Sequence, residues 1–309
     1  MSDKFRLVTR SDFDGLVCAV LLKEKGILDD IKIVHPKDMQ DGKVEIGPRD
    51  ITTNLPYVPG VHLAFDHHLS ETIRIKDRPK NHIIDADAPS AARVVFHHYG
   101  GKASFPRVSD AMMLEVDKAD SAQFSEQEIL HPEGWVLLNY LMDPRTGLGR
   151  FRDFRISNYK LMMDLIDACL THSIDEILAL PDVKERVDLY REHEPQAKEQ
   201  IKRCSTVHGK VVVLDLRKED PIWPTNRFMI YALYPHCNVS IHAMWGLKQQ
   251  NTVLATGKSI IDRGSKANIG DLMLSYGGGG HMAAGTCQVE NERADTVLGE
   301  IVARLNAGG

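Results

Sequence analysis

The sequence predicts an α/β protein with two domains, of which the first contains a parallel sheet and the second is smaller. The chain has 309 residues, 43% hydrophobic and 26% charged, which is close to the globular average and sufficient for two hydrophobic cores. Short apolar runs alternate with segments of helical apolar spacing, as expected for strands joined by helices. A charged stretch at residues 183–205 interrupts this alternation, and we expect it to be a helical linker.

The first predicted domain spans residues 1–182. Apolar runs bounded by polar residues predict strands at 5–9, at 31–34, within 44–53, and at 61–65. Apolar residues spaced by three and four predict helices at 16–25, 89–99, 108–119 and 159–170. Because ligands of parallel α/β sheets gather at the carboxyl ends of strands, the polar loops after residues 9 and 65 are expected to meet in one crevice.

The second predicted domain spans residues 206–309 and repeats the alternation. Strands are predicted at 210–214, 239–245, 252–255 and 286–289. Helices are predicted at 227–234, 269–276 and 294–305, with a run of four glycines directly after the second of them. The pattern predicts a separate, smaller α/β domain.

Composition and charge exclude several classes of protein. A formal net charge of −5 and a pI near 6.3 argue against a basic track that grips long duplex DNA. No apolar run approaches the roughly 18 residues that cross a bilayer, so no membrane partner is expected and the default expectation is a cytoplasmic protein. The five cysteines are scattered without a Cys-x-x-Cys pair, which disfavours a disulfide scaffold or a zinc finger.

Two carboxylates follow the first predicted strand, in the segment Ser11-Asp12-Phe13-Asp14-Gly15. Asp12 and Asp14 lie two residues apart on a predicted loop ahead of a helix, and such a pair can hold a divalent cation from one side. Asp and Gly are also ordinary residues of an acidic turn that caps a helix. The residues alone leave both interpretations open.

Asp66-His67-His68 follows the predicted strand at 61–65. Adjacent histidines at the end of an apolar strand are costly to bury unless they bind a ligand or form hydrogen bonds. A mixed Asp and His set suits Mn²⁺, Fe²⁺ or Zn²⁺ better than Mg²⁺. Asp117 and Asp120, at the end of a predicted helix, could complete such a set, although a structural role for either motif stays open.

The segment 277–280 consists of four glycines and is followed by His281. Consecutive glycines let backbone N–H groups approach an anion closely, and the histidine adds a donor. Lys258 and Arg263 supply positive charges that could reach the same phosphate. A glycine-rich hinge with solvated charges nearby is the alternative interpretation.

Together these motifs resemble the DHH phosphoesterase superfamily, in the branch whose C-terminal DHH-associated domain carries a Gly-Gly-Gly-His motif. The resemblance covers nearly the whole chain. Its members include exonucleases, nanoRNases, cyclic-dinucleotide phosphodiesterases and short-chain exopolyphosphatases, which are typically Mn²⁺-dependent hydrolases with the active site in the cleft between the two domains. The metal ligands implied by this resemblance are Asp12, Asp14, Asp66, His67 and Asp120, with Asp117 as the competing choice for the last position.

The resemblance also implies roles for other residues. Asp66 and His68 would orient the ligands and the attacking water, and are the expected catalytic residues. One or two Mn²⁺ ions are expected, with Mg²⁺ or Co²⁺ as alternatives. The implied contacts to substrate phosphate are Arg10, Arg263, Gly278, Gly279, Gly280 and His281.

The chain departs from the family pattern at two positions. Arg10 stands where many relatives have a histidine, and a guanidinium cannot bind a metal. The second-motif aspartate has no clean match, because Asp50 falls toward the start of its strand and Asn54, which is better placed, lacks the charge. We therefore hypothesise that Arg10 replaces part of the first cation by pairing with Asp12 or a substrate phosphate. The resting protein would then hold one tightly bound metal and recruit a second weakly or only with substrate.

The expected function is a metal-dependent phosphodiesterase that acts on short oligoribonucleotides. Two alternatives stay open: an exopolyphosphatase that acts on short polyphosphate, and a degenerate member that binds a nucleotide as a sensor without hydrolysing it. The sequence does not fix the oligomeric state, for which a homodimer is one option.

Overall fold

The computed structural model describes residues 4–77, 79–151 and 153–308. The chain forms two compact units. Unit 1 comprises Met1–Gln123 and Pro132–Leu189, and unit 2 comprises Phe124–His131 and Tyr190–Gly309. Each unit has its own sheet, which confirms the predicted α/β class with two domains. The location of the active site in a cleft between the domains stays a prediction.

The sheet of unit 1 has five parallel strands in the order β2-β1-β3-β4-β5. A parallel sheet with helices on its faces brings all carboxyl ends to one edge. Of the range 44–53, within which a strand was predicted, only the last four residues form a strand. The strands are β1 (Phe5–Thr9), β2 (Leu28–Ile33), β3 (Asp50–Thr53), β4 (Leu63–Asp66) and β5 (His82–Ile84).

The helices of unit 1 surround one central helix, α1 (Phe13–Glu24), in which residues 13–22 are all buried. This helix is apolar on every side because it packs against α4, α5 and α8 as well as the sheet. It begins three residues earlier than predicted, so Asp14 lies in its first turn and not in a loop. The other helices are α2 (Pro36–Gln40), α3 (Leu69–Arg74), α4 (Ala91–His98), α5 (Asp110–Asp120), α7 (Gly134–Met142), α8 (Asn158–Thr171) and α9 (Ile174–Ala179), while α6 (Glu126–Leu130) belongs to unit 2.

The sheet of unit 2 is mixed, with six strands in the order β10-β11-β9-β8-β7-β6. Only β7 and β8 pair in parallel. Apolar side chains of the sheet and of α12 and α13 form the core of this unit. The elements are α10 (Pro181–Cys204), β6 (Ser205–His208), β7 (Val211–Asp215), α11 (Met229–Leu233), β8 (Val239–Trp245), β9 (Thr252–Lys258), α12 (Ile269–Leu274), β10 (Gly279–Gly280), β11 (Ala284–Val289) and α13 (Ala294–Ala307).

The long helix α10 contains the point at which unit 1 gives way to unit 2. It covers most of the segment 183–205 that the sequence assigns to a helical linker. Among the described residues, no helix is both long enough and apolar enough to cross a membrane.

Candidate metal centre

Polar residues lie at the carboxyl ends of the three central strands of the unit 1 sheet. Arg10 and Asp12 follow β1, Asn54 follows β3, and Asp66 is the last residue of β4. Because β1, β3 and β4 are neighbours in register, these residues share one edge of the sheet. The polar loops after β1 and β4, which the sequence predicted to meet, therefore lie at the same edge of one sheet, with β3 between the two strands.

Asp14, His67 and Asp120 form a group suited to hold a metal ion. Each residue offers one ligand atom, and these three atoms all lie within 4.8 Å of one another. Nε2 of His67 is 2.8 Å from Oδ2 of Asp120. Asp14 comes from the first turn of α1, His67 follows β4, and Asp120 ends α5, so three separate elements meet at this point.

The hydrogen bonding of His67 prepares it to bind a metal. Its Nδ1 lies 3.1 Å from the backbone oxygen of Ala88, which can only accept, so Nδ1 carries the proton. In the neutral ring, Nε2 then holds a lone pair. This buried Nε2 has no hydrogen-bond partner of suitable geometry in the described part of the chain, although Asp120 is close. A divalent cation between two carboxylates and this nitrogen fits the donor set.

The electrostatics of the group also favour a bound cation. Burial lowers the pKa of His67, but Asp120 and then Asp14 outweigh burial and raise it to about 9. Burial, together with the charge of Asp120, raises the pKa of Asp14 to about 7. Burial opposes ionisation of Asp120 as well, yet His67 holds the pKa of that carboxyl below its usual value. Without a metal, protons therefore supply the positive charge that the group requires.

The carboxylate of Asp14 is held by the start of a helix. Its Oδ1 and Oδ2 accept hydrogen bonds from the backbone N–H groups of Ala92 (2.8 Å) and Ala91 (3.1 Å), at the N-terminus of α4. These donors favour the charged carboxylate and fix its orientation. Any side chain at Gly15 would collide with the backbone oxygen of Arg10, so the glycine lets α1 start beside the strand end.

Asp117 and Asp120 have different partners, although both lie at the end of α5. Asp117 accepts from the hydroxyl of Ser90 at 2.8 Å and from Nε of Arg93 at 2.9 Å. These contacts link α5 to the start of α4. The structure therefore groups Asp120, and not Asp117, with Asp14 and His67.

Asp66 is almost completely buried and contacts both histidines of its motif. Its Oδ1 accepts from the backbone N–H of His67 at 2.9 Å and contacts Nδ1 of His68 at 2.7 Å. Burial lowers the pKa of His68, but the Asp66 carboxylate outweighs burial and raises it. Asp66 therefore orients His68 and favours its protonated form.

Asp66 also belongs to a second group of ligand-type side chains, together with Glu71 and His82. Both ring nitrogens of the buried His82 and Oδ2 of Asp66 lack hydrogen-bond partners in the described part of the chain. Glu71, however, accepts from Arg74 at 2.5 and 2.7 Å and from the backbone N–H of Tyr57 at 2.9 Å. Since Arg74 already balances Glu71, the charges give no reason for a further cation there.

Arg10 pairs with Asp12, as the sequence hypothesis proposed as one option. Nε of Arg10 lies 3.1 Å from Oδ2 of Asp12, and Nη1 is 3.4 Å from Oδ1 of Asn54. Oδ1 of Asp12 caps α1 by accepting from the N–H of Gly15 at 2.9 Å. Burial raises the pKa of Asp12, while Arg10 and, more weakly, Arg145 oppose that rise.

Asp50 and Asn54 lie at opposite ends of β3. Asp50 is the first residue of the strand, where Arg6 donates to its two oxygens at 2.7 and 2.8 Å and the N–H of Gly47 donates at 2.7 Å. Asn54 follows the strand on the side of the metal group and is buried, with a positive φ of 55°. The structure therefore places Asn54, and not Asp50, beside Arg10.

Arg145 is a residue near the site that sequence reasoning missed. It lies in a short 3-10 helix, Pro144–Thr146, and holds Asp143 with two hydrogen bonds of 2.7 and 2.8 Å. Its side chain is 52% exposed, and its charge acts on Asp12 and Asp120. Nothing in the local sequence indicates this proximity, because the turn that contains Arg145 lies far along the chain from the motifs.

The glycine-rich segment of unit 2 uses several of its N–H groups within its own unit. Gly277 and Gly278 donate to Leu274 and Met273 at 3.0 and 2.9 Å, and His281 donates to Ala284 at 2.7 Å. Gly279 and Gly280 form β10, so the segment is a turn followed by a short strand. His281 itself is exposed, and Arg263 lies in the loop after β9, where its Nε donates to Ile260 at 3.2 Å.

Comparison with solved structures finds close similarity to the pGpG-specific phosphodiesterase PggH from Vibrio cholerae. The two chains are 62% identical, the match covers 99% of this chain and 100% of that one, and the TM-score is 0.86. RecJ from Thermus thermophilus, in complex with Mn²⁺, is 12% identical over 98% of this chain and 52% of RecJ, with a TM-score of 0.56. RecJ from the same organism in complex with Mg²⁺ matches 98% of this chain and 50% of RecJ at 12% identity, with a TM-score of 0.51.

The comparison with RecJ shows a shared fold alone, and this chain spans about half of the length of RecJ. A comparison with family models finds no match, and neither does one with curated proteins. The chain thus combines a two-unit α/β fold with carboxylate and imidazole side chains that converge near the strand ends of unit 1. With 62% identity to PggH over almost its full length, the chain belongs to the DHH phosphoesterase superfamily.

Proposed function

We propose that this protein is a metal-dependent phosphodiesterase that hydrolyses short oligoribonucleotides, with the linear dinucleotide pGpG as its preferred substrate. The observation that carries the proposal is the 62% identity to a pGpG-specific phosphodiesterase over 99% of this chain. Hydrolysis of the internal diester of pGpG breaks one P–O bond, consumes one water and releases two molecules of GMP. The proposed metal ligands are Asp14, His67 and Asp120.

The geometry of unit 1 supports this chemistry. A divalent ion held by the three ligands would supply positive charge to the phosphoryl oxygens and activate water for attack. His67 contributes Nε2, because its Nδ1 proton is committed to the oxygen of Ala88. His68, held at Nδ1 by Asp66, is the residue that would transfer a proton through Nε2 to the leaving oxygen.

The charges around the site suit a short substrate. Arg10 and Arg145 are positive groups near Asp12, and both have exposed side-chain surface, at 30% and 52%. Two guanidinium groups can contact a few phosphate oxygens, whereas the net charge of −5 opposes binding of a long polyanion. The phosphate contacts that the sequence predicts for His281 and the glycine-rich segment of unit 2 stay predictions.

A turnover assay tests the proposal directly. The full chain, stripped with EDTA and reloaded with Mn²⁺ or Mg²⁺, is incubated with pGpG, other linear dinucleotides, a cyclic dinucleotide and short polyphosphates. We expect GMP from pGpG at the highest rate, more turnover with Mn²⁺ than with Mg²⁺ because His67 is a borderline ligand, and none in EDTA. Full activity in chelated protein would contradict the assignment.

The same assay separates the two alternatives. Faster release of phosphate from polyphosphate than of GMP from pGpG would identify an exopolyphosphatase. Binding of pGpG without turnover under every metal condition would identify a sensor. The grouping of Asp14, His67 and Asp120 favours hydrolysis, because a sensor has no need to keep three ligand atoms within 4.8 Å.

A further inference from the structure

We propose that Arg10 is a built-in positive charge that takes the place of a second metal ion, so that the site binds a single divalent cation through Asp14, His67 and Asp120. The inference deepens the proposed function, on which it rests for the role of the ion in turnover. The number of ions bound, however, can be measured without any substrate. Three features support it: the contacts of Asp12, the position of Asn54 and the balance of charge.

Asp12 differs from Asp14 because one of its carboxylate oxygens is paired with a positive charge of the protein, whereas the oxygens of Asp14 accept from backbone N–H groups. Oδ1 of Asp12 accepts the N–H of Gly15 at 2.9 Å, and Oδ2 pairs with Nε of Arg10 at 3.1 Å. Asp12 is also absent from the group of ligand atoms that lie within 4.8 Å of one another. A metal ion that used Asp12 would have to displace a guanidinium that cannot lose its charge by deprotonation.

Asn54 extends the contacts of Arg10 on the neighbouring strand. Its side-chain oxygen lies 3.4 Å from Nη1 of Arg10, and its backbone has a φ of 55°, which asparagine tolerates better than most residues. Its buried Nδ2 has no hydrogen-bond partner in the described part of the chain. An amide is a neutral acceptor for the guanidinium and a poor ligand for a bridging cation, so Asn54 fits an arginine better than a metal.

The balance of charge gives the same number of ions. Asp12, Asp14 and Asp120 carry three negative charges when ionised, and Arg10 neutralises the first of them. One divalent cation then neutralises Asp14 and Asp120, with neutral His67 as the third ligand. A second divalent ion would leave an excess of positive charge beside Arg10, and Arg145, whose charge also acts on Asp12 and Asp120, would add to that excess.

Arg10 keeps further donors for the substrate. A guanidinium has five N–H groups, of which one points to Asp12 and one to Asn54 in this structure. The remaining N–H groups belong to a side chain that is 30% exposed. Two-metal phosphoesterases stabilise the phosphoryl oxygens with both ions, and here one of these contacts would come from Arg10.

The test counts Mn²⁺ ions in the unmodified chain and in the double variant Arg10→His/Asn54→Asp. Protein equilibrated with excess Mn²⁺ is dialysed and analysed for metal and protein content. We expect one ion per chain in the unmodified protein and two in the double variant. Electron paramagnetic resonance adds a second readout, because two neighbouring Mn²⁺ ions in the variant should show spin coupling that the unmodified protein lacks.

The chain offers a matched control on the same strand. Arg6 pairs with Asp50 at the opposite end of β1, with an Nε to Oδ1 distance of 2.7 Å, and Asp50 is buried. Arg6→His should therefore leave the count at one ion. Circular dichroism checks the fold of each variant, and the single variant Arg10→His, with an expected increase above one ion, replaces the double variant if that one does not fold.

The outcomes separate this inference from the proposed function. Two tightly bound ions in the unmodified protein, or one ion in a folded double variant, would overturn the role of Arg10. One ion in the unmodified protein, two in the double variant and no hydrolysis of pGpG would support the role of Arg10 and reject the proposed substrate. The count of ions therefore decides the inference whether or not pGpG is cleaved.

Discussion

The strand ends of unit 1 and the glycine-rich segment of unit 2 were both expected to bind ligands, yet they are built differently. In unit 1, backbone N–H groups of α4 hold the Asp14 carboxylate, and the ligand atoms of Asp14, His67 and Asp120 converge. In unit 2, the N–H groups of Gly277 and Gly278 donate within their own unit. Substitutions in unit 1 should therefore affect chemistry, whereas glycine substitutions in unit 2 should first affect stability.

The largest effect is expected from His67→Ala. Loss of Nε2 removes one of three metal ligands, so we expect kcat to fall by a factor on the order of 10³ or more, with loss of tightly bound Mn²⁺. The metal-free variant should remain folded, although it loses the stability that the protonated His67 contributes below about pH 9. Steady-state kinetics with pGpG and metal analysis measure the two effects.

His97→Ala is the matched control for this substitution. His97 is an exposed histidine on α4 of the same unit and is not part of the metal group. It should retain the kcat and the metal content of the unmodified protein. If kcat of His67→Ala falls by tenfold or less, His67 is a structural residue, and the expected contrast between unit 1 and unit 2 is wrong.

The second prediction concerns the pH dependence of metal binding. In the metal-free protein the pKa of His67 is raised to about 9 and that of Asp14 to about 7, so a proton must leave before an ion binds. Affinity for Mn²⁺ should rise by about tenfold per pH unit for each proton released, hence roughly hundredfold between about pH 6.5 and 8.5. Anaerobic calorimetry across this range measures it.

The free energy of unfolding of the metal-free protein should fall as the pH rises, whereas the affinity for Mn²⁺ should increase. The raised pKa of His67 contributes stability that is present below the ordinary value near 6.5 and is lost as the pH rises through about 9. The raised pKa of Asp14 also favours the folded state only while the carboxyl is protonated, and this is lost toward pH 7. A free energy of unfolding that rises over this range without metal would contradict the proposed grouping.

The convergence of the side chains at the strand ends was easier to predict from the sequence than the conformation of the glycine-rich segment, for a physical reason. The parallel alternation of strands and helices brings strand ends to one edge, so residues after 9 and 65 could be expected to meet. The choice between Asp117 and Asp120 required the structure, because it depends on Ser90 and Arg93, which lie 27 and 24 residues from Asp117 in sequence. Arg145 was missed because its proximity depends on how helices pack and not on a local pattern.

The same limit explains the errors in the fold. Two of the four glycines form the strand β10, which was not predicted, because pairing with β11 is a contact that no local pattern encodes. The short strand β5 and the strand β6 were not predicted, since three or four residues give too little periodicity. The start of helix α1 was predicted three residues too late. Asp12 and Asp14 were both assigned to a polar loop, whereas Asp12 is the N-cap of the helix and Asp14 lies in its first turn.

A further prediction separates two adjacent glycines of unit 2. A side chain at Gly278 would collide with the backbone oxygen of Thr286, whereas one at Gly279 would meet no atom within 4 Å. Gly278→Ala should therefore lower the free energy of unfolding by about 1–3 kcal/mol, and Gly279→Ala should change it by less than about 0.5 kcal/mol. Chemical denaturation of both variants provides the measurement. Equal stability of the two would mean that the segment is not packed as described.

The smallest effect is expected from His281→Ala, because His281 is proposed to hold a phosphate and not to bind the metal. Loss of one hydrogen bond to a charged group should raise KM for pGpG by about tenfold while kcat changes little. His208 is the matched control, since it is also an exposed histidine but lies on β6, at the opposite edge of the same sheet from β10. His208→Ala should leave both constants unchanged. An unchanged KM in His281→Ala would show that this residue is not part of the substrate site. A large fall in kcat would show that it contacts the reacting atoms, and the proposed difference in role between the two units would then be wrong.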